Sequence, residues 1–205
     1  MFSQHLFFQG LALGASLIMA IGAQNAHVIR TGVRGEHVFA TVAACIVIDV
    51  LLIALGMSGL GRLIESSPAL LALARYGGGA FLAWYGWRCW SSSLRGGAAL
   101  ALAGEGAGPD LKRALVTVLA LSLLNPHVWL DTVVLLGAVG SSLAGEQRGA
   151  FALGAMTASV LWFTALGLGA RRFASVLGRP AVWRAIEALT GTLMLVLAWL
   201  LVRGA

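Results

Sequence analysis

The chain has 205 residues, of which 59% are hydrophobic and only 11% are charged, and its mean hydropathy is +0.89. This composition leaves too little polar surface for a soluble domain and indicates a protein whose solvent is the lipid bilayer. The net charge is +6, but the basic residues stand singly between apolar runs. They form no dense stripe that could follow phosphates, so the charge does not indicate a nucleic-acid partner.

Six apolar segments, each close to the roughly 20 residues that a membrane-spanning helix needs, follow one another along the chain. They cover residues 6–29, 38–60, 68–90, 114–140, 149–170 and 182–202. The first segment lacks the basic stretch that begins a cleaved signal peptide, so we expect it to be retained. We therefore predict an all-α polytopic membrane protein with about six transmembrane helices.

The longest polar connection, residues 91–113, is rich in Gly, Ala and Ser, as linkers are. It separates a first three-helix repeat, residues 1–90, from a second, residues 114–205, within one integral membrane domain. The first, third and fifth connections with their flanks hold ten Lys and Arg residues, against three on the other side. Because basic residues of short loops tend to stay in the cytoplasm, we expect the linker there and both termini outside.

A polar signature occurs in both halves, as Asn25-Ala26-His27-Val28 and as Asn125-Pro126-His127-Val128. The two copies superpose at a shift of 100 residues, whereas Gly35-Glu36 matches Gly145-Glu146 at a shift of 110, where Asp49 aligns with Ser159. Each half has an odd number of predicted spans, so the second half must enter the membrane inverted. Two inverted three-helix repeats with interrupted helices are typical of secondary transporters.

Two acidic residues stand alone inside long apolar stretches, Asp49 in the second segment and Asp131 in the fourth. An aspartate at the centre of a span costs about 2.5 to 3.5 kcal/mol even on lenient scales, so its presence suggests a function. The pair could bind a cationic group, carry protons, or do both in turn. Alternatively, one or both could pair with Arg75, the one cation inside a predicted span, and only fix helix packing.

Helix-breaking residues accompany both asparagines. Pro126 removes a backbone donor, and Gly22 weakens the first segment at the corresponding level. Such breaks expose helix N-termini, which suit a carboxylate, and helix C-termini, which suit a cation, so a zwitterionic amino acid could use both. His27 and His127 could relay protons, since the ordinary histidine pKa lies near 6.5, or they could be interfacial polar residues.

The remaining polar and small residues have simpler interpretations. Glu187 follows Arg184 by three residues, so we predict a local pair or an interfacial position. Cys45 and Cys89 have no ligand or CxxC spacing, and we expect ordinary membrane-helix residues. Small residues, Gly77-Gly78-Gly79 and Gly191, allow close helix contact within one chain or between two, which leaves a homodimer open.

The same residues carry a resemblance to a known family. They are Gly22-Ala23-Gln24-Asn25-Ala26, Arg30-Thr31-Gly32 with Arg34 and Glu36-His37, Asp49, and Leu124-Asn125-Pro126-His127-Val128-Trp129-Leu130-Asp131-Thr132-Val133. In these motifs, over essentially the whole chain, the sequence resembles the lysine/arginine exporters of the LysE type. Exporters of neutral amino acids differ at the first site, where they have a Pro-Gly-Pro type motif.

The resemblance implies export of L-lysine or L-arginine across the bacterial inner membrane, driven by the membrane potential or the proton gradient, with no cofactor and no enzymatic step. It suggests functional roles for Asn25, Asp49, Asn125, Pro126 and Asp131, and we expect substrate binding at these residues and at Gln24. Proton coupling would then fall to Asp49, Asp131, His27 and His127.

The chemistry of the residues is compatible with that substrate, because carboxylates and helix ends complement all three charges of a basic amino acid. Two alternatives remain. A divalent-metal exporter could use Asp49, Asp131, His27 and His127 as ligands. An intramembrane hydrolase could use Ser16 or Ser122, although no Gly-x-Ser-x-Gly motif is present.

Overall fold

The computed structural model describes residues 3–19, 22–59, 66, 67, 69, 72, 76–95, 110–125 and 128–203. Their regular structure is helical, and these residues include no β-strand. The helices are α1 (Gln4–Ile18), α2 (Ala23–Arg34), α3 (Val38–Met57), α4 (Gly78–Arg95), α5 (Leu111–Leu123), a π-helix (Trp129–Leu135), α6 (Leu136–Ser141), α7 (Gly145–Arg172), α8 (Ala174–Leu177) and α9 (Pro180–Arg203). Helices pair their backbone polar groups within one segment, except at their ends, which suits the lipid environment.

Three helices in the described part of the chain are long and apolar enough to cross a membrane, namely α3, α7 and α9. A fourth span results if α1 and α2, which are bent by 79°, count as one. The predicted segment 114–140 is divided between α5 and the π-helix with α6, each shorter than a span. In the segment 68–90, continuous helix is described from Gly78 onward. The polytopic helical class is thus shown, with three or four candidate spans.

Helices α3 and α7 form the centre and run antiparallel. Near the start of α3, Val42 lies against Gly167 of α7. Midway along α3, Asp49 contacts Ser159. At the end of α3, Met57 belongs to the same apolar cluster as Phe151. Valines from both sides fill the core around α3, including Val28 of α2 and Val118 of α5. The two central helices therefore hold the shorter helices around them.

Helix α1 crosses α7 at a distance that only glycine permits. A methyl group on Gly10 would strike the carbonyl oxygen of Phe151, and one on Gly154 would strike that of Phe7. Small residues let two backbones approach closely, which gains dispersion contacts where lipid supplies no hydrophobic drive. This contact fixes α1 against the N-terminal part of α7.

Helices α4 and α9 form a second close pair. A Cβ on Gly86 would lie 3.0 Å from the carbonyl oxygen of Gly191, and a Cβ on Gly191 would lie 2.9 Å from that of Gly86. Leu82, Met194 and Ala198 build the core of this pair. Gly191, for which the sequence left contact within or between chains open, thus makes close contact within the chain.

We expect Gly154→Ala to lower the thermal stability of the detergent-solubilised protein, because the new methyl group meets backbone atoms of α1 that cannot rotate away. Overpacking of this kind costs about 1 to 3 kcal/mol. Gly169→Ala on the same helix is the matched control, since no atom lies within 4 Å of its added Cβ. Equal melting temperatures for the two variants would contradict the proposed α1–α7 contact.

Candidate functional site

Both duplicated asparagines lie at breaks in the helical backbone. Helix α1 ends at Ile18 and α2 begins at Ala23, so Asn25 lies in the first turn of α2. Helix α5 ends at Leu123, and regular helix resumes at residue 128 after Asn125. The described helices thus end and begin again near both asparagines. Pro126 and His127 lie outside the described residues.

The side chain of Asn25 bridges three helices at the first break. Its Nδ2 donates to the carbonyl oxygen of Ile18 at 3.2 Å, and its Oδ1 accepts from Trp162 Nε1 of α7 at 3.3 Å. The last carbonyls of a helix have no partner within the helix, and lipid offers none. Asn25 therefore satisfies a backbone group that the break exposes and ties the break to α7.

A different donor serves the second break. Trp129 Nε1 donates to the carbonyl oxygen of Leu123 at 2.8 Å, and the backbone nitrogen of Val128 donates to the carbonyl oxygen of Asn125 at 3.1 Å. A π-helix begins directly afterwards. Such wide turns occur frequently at functional sites, because they turn side chains away from ordinary helical register.

A cavity of about 70 Å³ lies between the two breaks. Its polar lining consists of Gln24, Asn25, Asp49, Asn125, Asp131 and Thr132. Leu17, Ile18, Val128, Phe163, Met194 and Leu197 supply apolar walls. This volume holds several waters, since one water needs about 10 to 15 Å³ by the same measure. Five residues that the sequence singled out, far apart along the chain, thus share one cavity.

Asp49 is buried, with 4% of its surface exposed, and accepts a 2.7 Å hydrogen bond from Ser159 Oγ of α7. Within the described part of the chain the structure records no ion pair to Asp49, and Arg75 lies outside that part. Asp131 is half-buried in the first turn of the π-helix. The cavity thus combines a buried carboxylate with a more accessible one.

The N-terminus of α2 faces the same cavity. Gly22, Ala23, Gln24 and Asn25 all line it, and the N-cap residue, Gly22, has no side chain that could cap the helix. The first amides of a helix have no partner within the helix and carry a partial positive charge. Gln24 Nε2 is buried with no acceptor among the described residues. These donors and the carboxylates supply both signs of charge.

His27 is half-buried in α2 and does not line the cavity, and its Nε2 has no hydrogen-bond partner among the described residues. The described residues contain no group of three or more His, Cys, Asp and Glu side chains that could hold a metal ion. The part of the site that the structure describes therefore offers no ligand set for a metal exporter.

Sequence reasoning missed three partners. Ser159 is the hydrogen-bond donor to Asp49, and its alignment with Asp49 at a shift of 110 was the available signal. Nothing in the sequence marked Trp162, the donor to Asn25, as a site residue. Glu187, predicted to pair locally with Arg184 or to lie at the interface, is 5% exposed and pairs with Arg30 of α2. The expected local pair was wrong, because helix packing brings a more distant cation to the carboxylate.

Comparison with known proteins assigns the chain to a family. The model of the family described as LysE type translocator matches residues 15–205. The chain is 42% identical to the arginine exporter protein ArgO of Yersinia enterocolitica, over 97% of this chain and 96% of that protein. It is 43% identical to the putative amino-acid transporter YggA of Aeromonas salmonicida, over 96% and 95%. It is 42% identical to the arginine exporter protein ArgO of Serratia proteamaculans, over 95% and 96%. No solved structure matches.

We expect Asn25→Ala to destabilise the protein more than Trp162→Phe. The first change leaves both the Ile18 carbonyl and the Trp162 N–H without a partner, at about 1 to 3 kcal/mol for each buried group. Trp162→Phe removes only the hydrogen bond to Asn25 Oδ1 and keeps the bond from Asn25 Nδ2 to the Ile18 carbonyl. Thermal unfolding in detergent measures both variants, and a smaller loss for Asn25→Ala would show that Asn25 does not hold the break.

Proposed function

This chain belongs to the LysE family of translocators, and we propose that it exports basic L-amino acids, chiefly L-arginine, across the bacterial inner membrane. The carrying observation is the convergence of Asp49, Asp131 and the N-terminus of α2 on one cavity. The names of its relatives, arginine exporters that match this chain almost end to end, support the substrate. Export of this kind requires no catalytic step and no cofactor.

The cavity has a complement for each charge of arginine. The N-terminal amides of α2 would bind the α-carboxylate, as helix N-termini bind anions, with Gln24 Nε2 as a further donor. Asp49 and Asp131 would pair with the α-ammonium and guanidinium groups. Asn25 and Asn125 flank the two breaks, and Pro126 would keep the second break open by withholding a backbone donor.

The free-energy cost of moving a cation outward indicates that export is coupled to another ion. Moving a cation outward against an inside-negative potential costs about 2.3 kcal/mol per charge for every 100 mV. If one proton enters for each arginine that leaves, no net charge crosses, and the potential no longer opposes export. We propose that protonation of Asp49 or Asp131 releases the substrate, and that His27 and His127 assist proton transfer.

We further propose that residues 1–90 and 114–205 are inverted repeats, with a cytoplasmic linker and external termini. One contact supports a two-fold axis in the membrane plane. Asp49 and Ser159, equivalent at a shift of 110, touch each other. Residues on such an axis meet their own equivalents, so this contact fits the arrangement of inverted-repeat transporters.

Efflux from proteoliposomes tests the proposed function. Vesicles loaded with labelled L-arginine should release it faster when the outside is acidified with the membrane potential clamped, because inward protons then drive export. Labelled L-leucine, which lacks the second cationic group, is the control substrate. Transport of a divalent cation without any arginine flux would replace the proposal with the metal-exporter alternative.

The carboxylates provide the second test. Asp49→Asn and Asp131→Asn keep side-chain size and hydrogen bonding but remove the titratable charge, so export should fall to background while membrane abundance stays near normal. Asp110→Asn, at an exposed acid outside the cavity, is the matched control and should export normally. Neutralising Arg75 should not restore either variant. Normal export by both would remove the carboxylates from the mechanism.

A further inference from the structure

A second polar cluster lies outside the cavity, where α2, α4 and α9 meet. Glu187 of α9 is buried there, and its Oε1 accepts from Arg30 Nη2 at 3.3 Å and from Ser92 Oγ at 3.0 Å. The guanidinium carbon of Arg30 lies 5.2 Å from the ring centroid of the buried Trp183. Side chains of α4 and α9 thus form a guanidinium-binding pocket, which Arg30 of α2 occupies.

The pocket has the chemistry that proteins use to recognise guanidinium groups. A carboxylate supplies charge and hydrogen-bond acceptors, and an aromatic face stacks against the planar cation. The side chain of Arg30 is 45% exposed, whereas that of Glu187 is 7% exposed. The guanidinium therefore reaches a buried carboxylate from the solvent side, as an incoming ligand would.

The acceptor capacity of this pocket is only partly used. Glu187 Oε2 is buried and has no hydrogen-bond partner among the described residues. A carboxylate can accept two parallel bonds from one guanidinium, but Arg30 engages only Oε1. A guanidinium that is free to orient could engage both oxygens, so the pocket fits such a ligand better than it fits Arg30.

The pocket also leads toward the cavity. Glu187, Thr190 and Met194 follow one another at helical spacing on one face of α9, and Met194 lines the cavity. Thr190 Oγ1, between them, is buried without a hydrogen-bond partner among the described residues. Seven residues of helix span about 10 Å, so the two sites are close along α9.

We propose that the Glu187 pocket is a binding site for the guanidinium group of the exported amino acid, and that Arg30 occupies it while substrate is absent. We call it the outer site because the side chain of Arg30, which fills it, is partly exposed to solvent. This inference rests on the proposed arginine export and adds a site that precedes the central cavity. An arriving substrate displaces Arg30 toward solvent, pairs with Glu187, and passes Thr190 on its way to Asp49. The competing structural role is a fixed ion pair that only ties α2 to α9.

Two variants separate these roles, because the outer site requires them to shift KM in opposite directions. Glu187→Gln keeps the shape of the pocket but removes its charge, so KM for arginine efflux from proteoliposomes should rise about tenfold while kcat changes little. Arg30→Lys weakens the built-in competitor, since an ammonium group lacks the planar fork and stacks less well. Its KM for arginine should fall about twofold to fivefold.

Matched controls lie elsewhere on the chain. Arg171→Lys, at an exposed arginine in the last turn of α7, and Glu146→Gln, at an exposed acid in its first turn, should leave KM unchanged. Lysine efflux is measured in parallel. The fall in KM caused by Arg30→Lys should be larger for arginine than for lysine, because the pocket recognises a guanidinium.

The outcomes are distinct. A fixed ion pair predicts that both variants lower melting temperature and abundance with KM unchanged or shifted in the same direction, and that result would overturn the outer site. If Glu187→Gln fails to insert, Arg30→Lys decides alone, and an unchanged KM overturns the inference. If the wild-type protein moves no arginine, the proposed function itself fails. Arginine export with unaltered KM in both variants rejects only the outer site.

Discussion

The structure depends on satisfying the backbone where its helices break at membrane depth. An unpaired carbonyl in hydrocarbon costs several kcal/mol, so a break persists only where side chains replace the missing hydrogen bonds. The bond from Asn25 Nδ2 to the Ile18 carbonyl does this for α1, and Trp162 holds Asn25 in place from α7. The break turns the start of α2 toward the cavity, and that geometry positions the polar lining.

The helix-end carbonyls at the two breaks accept hydrogen bonds from different donors. Asn25 reaches back to α1 in the first half, whereas the indole of Trp129 reaches back to α5 in the second. The central helices differ in the same way, since the buried carboxylate of Asp49 faces the hydroxyl of Ser159. An amino acid has a carboxylate at one end and cationic groups elsewhere, so a site of related but unequal halves suits it better than a symmetric one.

The sequence predicted those residues of the site that are polar but stand within an apolar run. Asp49, Asp131 and both asparagines are conspicuous because each stands in an apolar run, and Gly22 and Pro126 marked the breaks. The partners were not predictable in the same way. Ser159 and Trp162 are ordinary residues of an apolar helix until α7 packs against α3 and α2, more than 100 residues away in sequence. Hydropathy also joined α5 and the π-helix into one segment, because a short break after Leu123 scarcely changes an average over about 20 residues.

The ion pair of Arg30 and Glu187 bears on how a cation can move through such a protein. A buried carboxylate left alone is strongly destabilising, and so is a substrate cation without a counter-ion. If Arg30 returns to Glu187 as the substrate moves on to Asp49, Glu187 exchanges one cation for another and is not left unpaired. The distance of about two helical turns between the sites keeps each transfer short. Arg30 would then also oppose return of the substrate, because the outer site is occupied again once the inner one is filled.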